Sequence, residues 1–262
     1  MKYQLKRTLS DKKKLGMILI LFLIPSLEVI QILYDHMAMG MPLPYPLYAT
    51  FLSGYSRGHI LQVLYLWFLP IYLVILSGEE SMEDFRTGYK NILLCKGGKT
   101  RYIKDKLKAG FFIPFFIVMC GLVLNLIVIQ VVCHNGTYLL YGGEYMVYDS
   151  TSMPGTLLFE MSYSHPLLTN IVYIGIAALF AGLIGMLGTI FAVVLHDRKL
   201  VYAFTFALWF VPILFKNSFM LVFQPFSEYG FQVIVPLALW VAGLYTLLIV
   251  TMTMWEVKFV EI

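Results

Sequence analysis

Six long apolar stretches alternate with short polar segments, and each is long enough to cross a bilayer as a helix. They predict membrane helices over about 15–34, 59–77, 109–133, 169–195, 200–219 and 232–255, since a span needs about 20 apolar residues. Pro25, Pro70, Pro114, Pro212 and Pro236 fall inside these runs. Membrane helices tolerate proline because neighbouring groups re-satisfy the freed carbonyls. The run from Leu15 to Tyr34 is too long for a signal-peptide core and no A-x-A site follows it, so it reads as a retained first span. Lys216 and Asn217 interrupt the outer end of the fifth run.

The polar positions supply the orientation. All but Arg57 and Lys216 of the 19 Lys and Arg fall in residues 1–14, 78–108, 196–199 and 256–262. Basic segments are retained on the cytoplasmic side. The sequence therefore reads as an all-α, multi-pass plasma-membrane protein with six transmembrane helices and both termini cytoplasmic. An amphipathic cytoplasmic helix is expected between helices two and three, and the whole of 1–262 forms a single membrane domain.

Composition agrees. The chain of 262 residues is 60% hydrophobic and 13% charged, with a mean hydropathy of +0.79. A soluble domain carries about 25% charge. The net charge of +4 reads as a cytoplasmic rim facing anionic headgroups, not as a nucleic-acid surface. Cys95, Cys120 and Cys133 have no metal-ligand spacing and read as packing residues. No metal and no cofactor is expected.

The segment 78–108 carries the most chemistry. Met82, Phe85, Tyr89, Ile92 and Leu93 recur at spacings of three and four, the apolar stripe of one helix over about 80–95. Glu79 and Glu80 supply negative charge suited to a helix start. Gly97-Gly98 ends the helix. A helix of this kind either floats in the lipid interface or docks in a groove on a cytoplasmic partner. Its acidic first half, Glu79, Glu80, Glu83 and Asp84, favours docking over contact with anionic lipid.

These residues resemble the first cytoplasmic loop of bacterial ABC-2-type exporter permeases, closest to the small Gram-positive permeases of peptide export or bacteriocin immunity. That loop carries one or two Glu, a Gly about eight residues on, a Leu pair, a turn and an Arg. Here these are Glu79-Glu80, Gly88, Leu93-Leu94, Gly97-Gly98 and Arg101, then Lys106. The family's Gly-Thr is Gly88-Tyr89 here, and its proline-containing turn is replaced by Gly97-Gly98-Lys99-Thr100. The resemblance implies that the loop helix couples a separate ATPase subunit to transport, with Glu79 or Glu80, Gly88 and Arg101 as coupling elements. It also implies a second permease subunit, identical or different, and a peptide or amphipathic small molecule as cargo. The alternative is a membrane scaffold or sensor that docks a cytoplasmic partner through 79–108.

Other features point to no catalysis. Gly98-Lys99-Thr100 ends like a phosphate-binding loop, but Leu93 stands where the motif needs glycine. ATP hydrolysis is therefore expected in a partner. His36, His59, His134, His165 and His196 form no H-E-x-x-H. Glu28 is the one acid well inside an apolar run, and with Asn125 or Gln130 it is a candidate for a polar path. The small residues Ala177, Ala181, Gly182 and Gly185 mark a close-packing helix face, within the bundle or against another subunit. The outer loop 134–168 is acidic and rich in tyrosine, either an interfacial lid or a surface that catches a cationic peptide.

Overall fold

The computed structural model describes residues 2–137, 162, 164–226 and 231–259. Among the described residues the chain is helical without strands. The helices are α1 (Lys2–Ser10), α2 (Lys12–Met39), α3 (Ile60–Trp67), α4 (Leu69–Leu73), α5 (Glu79–Arg86), α6 (Tyr89–Gly97), α7 (Lys99–Val132), α8 (Pro166–Leu195), α9 (Arg198–Phe210) and α10 (Phe231–Phe259). Four of them, α2, α7, α8 and α10, are long and apolar enough to cross a membrane; the bent unit running from α3 into α5 makes a fifth if it is one span.

Each element follows from local chemistry. Asp11 caps α2 by accepting from the Lys13 amide at 2.9 Å, and Gly40 closes it at φ 63°, a conformation that suits glycine. The 34 residues of α7 extend about 51 Å against a hydrocarbon core of about 30 Å. Its basic first turns, Lys99 to Lys108, therefore reach well beyond the apolar layer. α8 is the central helix, buried along most of its length and packed on α4, α7, α9 and α10.

Of the five prolines inside the apolar runs, four free a carbonyl, four residues upstream, that meets a specific neighbour. The carbonyl of Leu66, released by Pro70, accepts from the indole N–H of Trp209 at 2.8 Å. That of Leu208, released by Pro212, accepts from the Tyr245 hydroxyl at 3.0 Å. The other two face glycines. A Cβ on Gly121 would lie 3.0 Å from the Leu21 carbonyl that Pro25 releases, and a Cβ on Gly185 would lie 2.6 Å from the Gly110 carbonyl that Pro114 releases. Glycine lets the backbone approach closely enough for Cα–H···O contact.

Three expectations are corrected. The second apolar run is not one straight helix: it bends by 50° at Phe68, where Pro70 starts a new helix, and passes through a π turn at Val74–Gly78 before α5. The fifth run, expected as a helix over 200–219, ends at Phe210. Pro212 opens a 3-10 turn at Val211–Leu214, and a second turn at Phe219–Phe223 folds back. Phe180, Trp209, Phe219 and Phe223 form one aromatic cluster, so burial of these rings outweighs helix propagation. The segment 35–58, expected as an external loop between the first two spans, is helical as far as Met39 and then folds against the bundle in 3-10 turns, with Phe51 and Leu52 buried. Most of the tyrosine-rich loop 134–168, residues 138–161 and 163, lies outside the described residues.

Candidate functional site

α5 and α6 form a short hairpin, not one helix over 80–95. Gly88 sits at φ 70° and divides them, a left-handed conformation that no helix interior contains. The Thr87 amide and hydroxyl both turn onto the Glu83 carbonyl and cap α5. The expected stripe is consequently split. Met82 is buried at 3%, whereas Phe85 and Ile92 are 49% and 51% exposed. Tyr89 and Leu93 are half-buried, and Leu94, off the stripe, is buried instead. Gly88 and Arg101 are exposed.

The inner face of the hairpin holds a buried ion cluster that draws on four helices. The Lys14 ammonium of α2 lies 2.5 Å from Glu80 Oε1. Lys106 of α7 reaches Asp84 Oδ2 at 2.7 Å and Glu80 Oε2 at 3.6 Å. Arg7 of α1 bridges Asp84 at 2.5 Å and Glu83 at 3.0 Å. Glu80, Asp84, Lys14 and Lys106 are all at most 5% exposed. Burial alone would lower the Arg7 pKa; its hydrogen bond to Asp84 and the charges of Asp84, Glu80 and Glu83 outweigh that and raise it. Three cations face three carboxylates, the balance that buried charge requires.

The outer side of the hairpin has its own ties. The Tyr202 hydroxyl of α9 donates to Glu79 at 3.1 Å. Lys90 of α6 pairs with Glu256 of α10 at 3.3 Å and lies 3.2 Å from His196 Nε2. The hairpin thus bonds to α1, α2, α7, α9 and α10 at the end of the bundle that carries both terminal helices. Of the residues singled out in sequence, Glu79 and Glu80 are bonded into this hub, while Phe85, Gly88, Ile92 and Arg101 lie at its surface. Asp84, Lys106, Lys14 and Arg7 carry as much of the arrangement. Their signal was the four-residue spacing of Glu80 and Asp84, which puts two acids on one helix face.

A second polar zone lies in the opposite half of the bundle. Glu28 is 1% exposed; its Oε1 accepts from the Ser56 hydroxyl at 2.5 Å and its Oε2 is buried without a hydrogen-bond partner. Asn125 accepts from the Phe51 amide at 3.0 Å and donates to the Pro25 carbonyl at 2.7 Å. Thr50 donates to Asn170, which in turn donates to the Leu47 carbonyl. Glu28 and Asn125 therefore meet the same stretch, 47–56. Gln130 does not join them; it is half-buried, about 7.5 Å further along α7. Ala177, Ala181, Gly182 and Gly185 are buried within the chain, and a Cβ on Gly182 would meet the Phe111 ring at 2.7 Å.

Among the described residues no group of three His, Cys, Asp or Glu is placed to hold a metal. No family model matches the chain, and no solved structure does. The chain is 31% identical over 261 residues to the uncharacterized protein YybM of Bacillus subtilis (strain 168), and the match covers 100% of both. It follows that the chain belongs to the family of YybM.

Proposed function

We propose that the chain is the membrane-spanning subunit of an ATP-driven exporter that moves a peptide or other amphipathic molecule, with a separate ATPase subunit bound to the α5–α6 hairpin. In this reading the bundle has six spans, the sixth being α9 with its 3-10 continuation, and both termini are cytoplasmic. Two such subunits, identical or different, enclose the path.

The observation that carries the proposal is the two-sidedness of the hairpin. Phe85 and Ile92 offer apolar contact outward, as partner grooves require. Inward, Glu80 and Asp84 are ion-paired to α1, α2 and α7, so a push on the hairpin reaches these helices without slack. α5 also runs without interruption from the bent span. ATP-driven closure of the partner would tilt the hairpin, and the bend at Phe68 would redistribute that motion among α4, α8 and α9. Glu28, a buried acid that accepts from Ser56 and keeps Oε2 without a hydrogen-bond partner, is in this reading the candidate to meet a cationic group of the cargo.

The test is gentle purification of the tagged protein from native membranes and identification of what accompanies it. A P-loop ATPase is expected with the wild type and is expected to be lost in Phe85→Asp and in Ile92→Asp. Absence of any ATPase from the wild-type preparation removes the energy source and leaves the scaffold or sensor reading.

A further inference from the structure

A pocket of about 270 Å³ lies between α5 and the α8–α9 turn, lined by Met82, Phe85, Arg86, His196 and Arg198. We propose that it binds a phosphate-bearing anion, supplied by the headgroup of an anionic lipid.

The cations of the pocket are unspent. Arg7, Lys14, Lys90 and Lys106 each pair with a carboxylate. Among the described residues, Arg86 and Arg198 pair with none, although both line one pocket. The nearby acids are engaged elsewhere: Glu79 by Tyr202, Glu256 by Lys90, and Asp197 by the Lys199 amide at 2.8 Å. Two guanidinium groups converging on one space suit phosphate, whose oxygens accept paired N–H donors.

The wall between them is rigid. His196 adopts φ 57°, a left-handed conformation uncommon outside glycine and worth tracing to a cause. That geometry closes the connection between α8 and α9 in two residues and brings Arg198 round to face α5. The His196 ring packs on Phe85 with centroids 3.8 Å apart. An ammonium only donates, so Nε2 of His196 accepts from Lys90. The ring is therefore neutral and serves as a wall, leaving the arginines as anion ligands.

Depth favours a lipid. The turn follows the apolar end of α8 and opens α9 on Arg198 and Lys199, so the pocket sits where an apolar span meets polar chain. Its Met82 and Phe85 side chains offer apolar surface to the glycerol portion of a headgroup, while basic groups at this level attract anionic lipid. Phe85 also belongs to the face proposed for the ATPase, so lipid binding is measured on the protein purified without a partner, where its failure leaves the ATPase test unaffected.

Full-length protein in mild detergent, mixed with phosphatidylglycerol or phosphatidylcholine and examined by native mass spectrometry, tests it. Phosphatidylglycerol is expected to be retained about tenfold better, with the preference abolished in Arg86→Gln/Arg198→Gln. Both arginines are exposed, so each single variant is expected to fold and to lose part of the preference if the pair does not fold. Inorganic phosphate raising the Tm as far as phosphatidylglycerol does would identify free phosphate as the source. Equal retention of both lipids, or an unchanged preference in the variants, overturns the proposal. So does loss of a co-purifying protein from the arginine variants with lipid retention intact, which assigns the pair to a protein carboxylate.

Discussion

The indole N–H of Trp209 donates to the carbonyl of Leu66 at 2.8 Å, the carbonyl that Pro70 leaves without an amide partner. Trp209 is fully buried, so the bond is made in a medium where an unpaired carbonyl is costly. Trp209→Phe is expected to destabilise the fold by about 1–3 kcal/mol, beyond the loss of packing. Pro70→Ala restores an amide to Leu66 and should recover part of that loss. Thermal denaturation of the two single variants and the double variant in detergent checks the coupling; strictly additive effects would remove the link between the proline and the indole.

The close approach of α7 and α8 makes a second prediction. A Cβ on Gly185 would lie 2.5 Å from the Pro114 ring and 2.6 Å from the Gly110 carbonyl. Backbone cannot yield as a flexible side chain can. Gly185→Ala should therefore cost about 1–3 kcal/mol through overpacking. Gly175→Ala, where nothing lies within 4 Å, should be neutral or slightly stabilising. The comparison is read from melting curves of the two variants side by side.

Lys14 and Glu80 make the third. Their side chains, 4% and 6% exposed, meet at 2.5 Å. Glu80→Ala strands the Lys14 ammonium and weakens the hold on Lys106, and breaking a buried pair by removing one partner costs about 3–5 kcal/mol. Lys14→Met combined with Glu80→Gln removes the stranded charge and should be markedly more stable than Glu80→Ala. If the proposed coupling route is right, that double variant folds and keeps its ATPase but loses transport, because the mechanical tie between α5 and α2 is gone. Transport at the wild-type rate would show that force does not pass through this pair.

Hydropathy located α2, α7, α8 and α10 to within a few residues at most ends, because a long apolar run has only one low-energy conformation in lipid. Breaks inside the runs were less legible. Pro70 and Pro212 were visible, but whether a proline kinks or ends a helix depends on who satisfies the freed carbonyl, and Trp209 and Tyr245 are contributed from other helices. The split at Gly88 interrupts a stripe that fits a helix equally well on paper; only the positive φ separates Met82 and Phe85 on α5 from Tyr89 and Ile92 on α6. The ion cluster was least legible. Arg7 and Lys14 lie 77 and 66 residues from Asp84 and Glu80, and in sequence the same charges read simply as a basic rim.

His196 gives the last prediction, a pH dependence. Burial, and then the positive charge of Lys90, lower its pKa from the ordinary 6.5, partly offset by Glu256. Between that lowered value and 6.5 the unfolded chain binds more protons at this position than the folded chain, so stability rises with pH there. The contribution is fully present above 6.5 and is lost as the pH falls through the folded value. The structural cause is direct: protonation turns Nε2 from acceptor to donor against the Lys90 ammonium 3.2 Å away and loosens α6 from the α8–α9 turn. His196→Asn keeps the left-handed backbone, which asparagine tolerates, and cannot titrate. Melting temperatures measured from pH 7.5 to 5.5 should fall more steeply for the wild type than for His196→Asn. Parallel curves would show that the histidine titrates without strain in the fold.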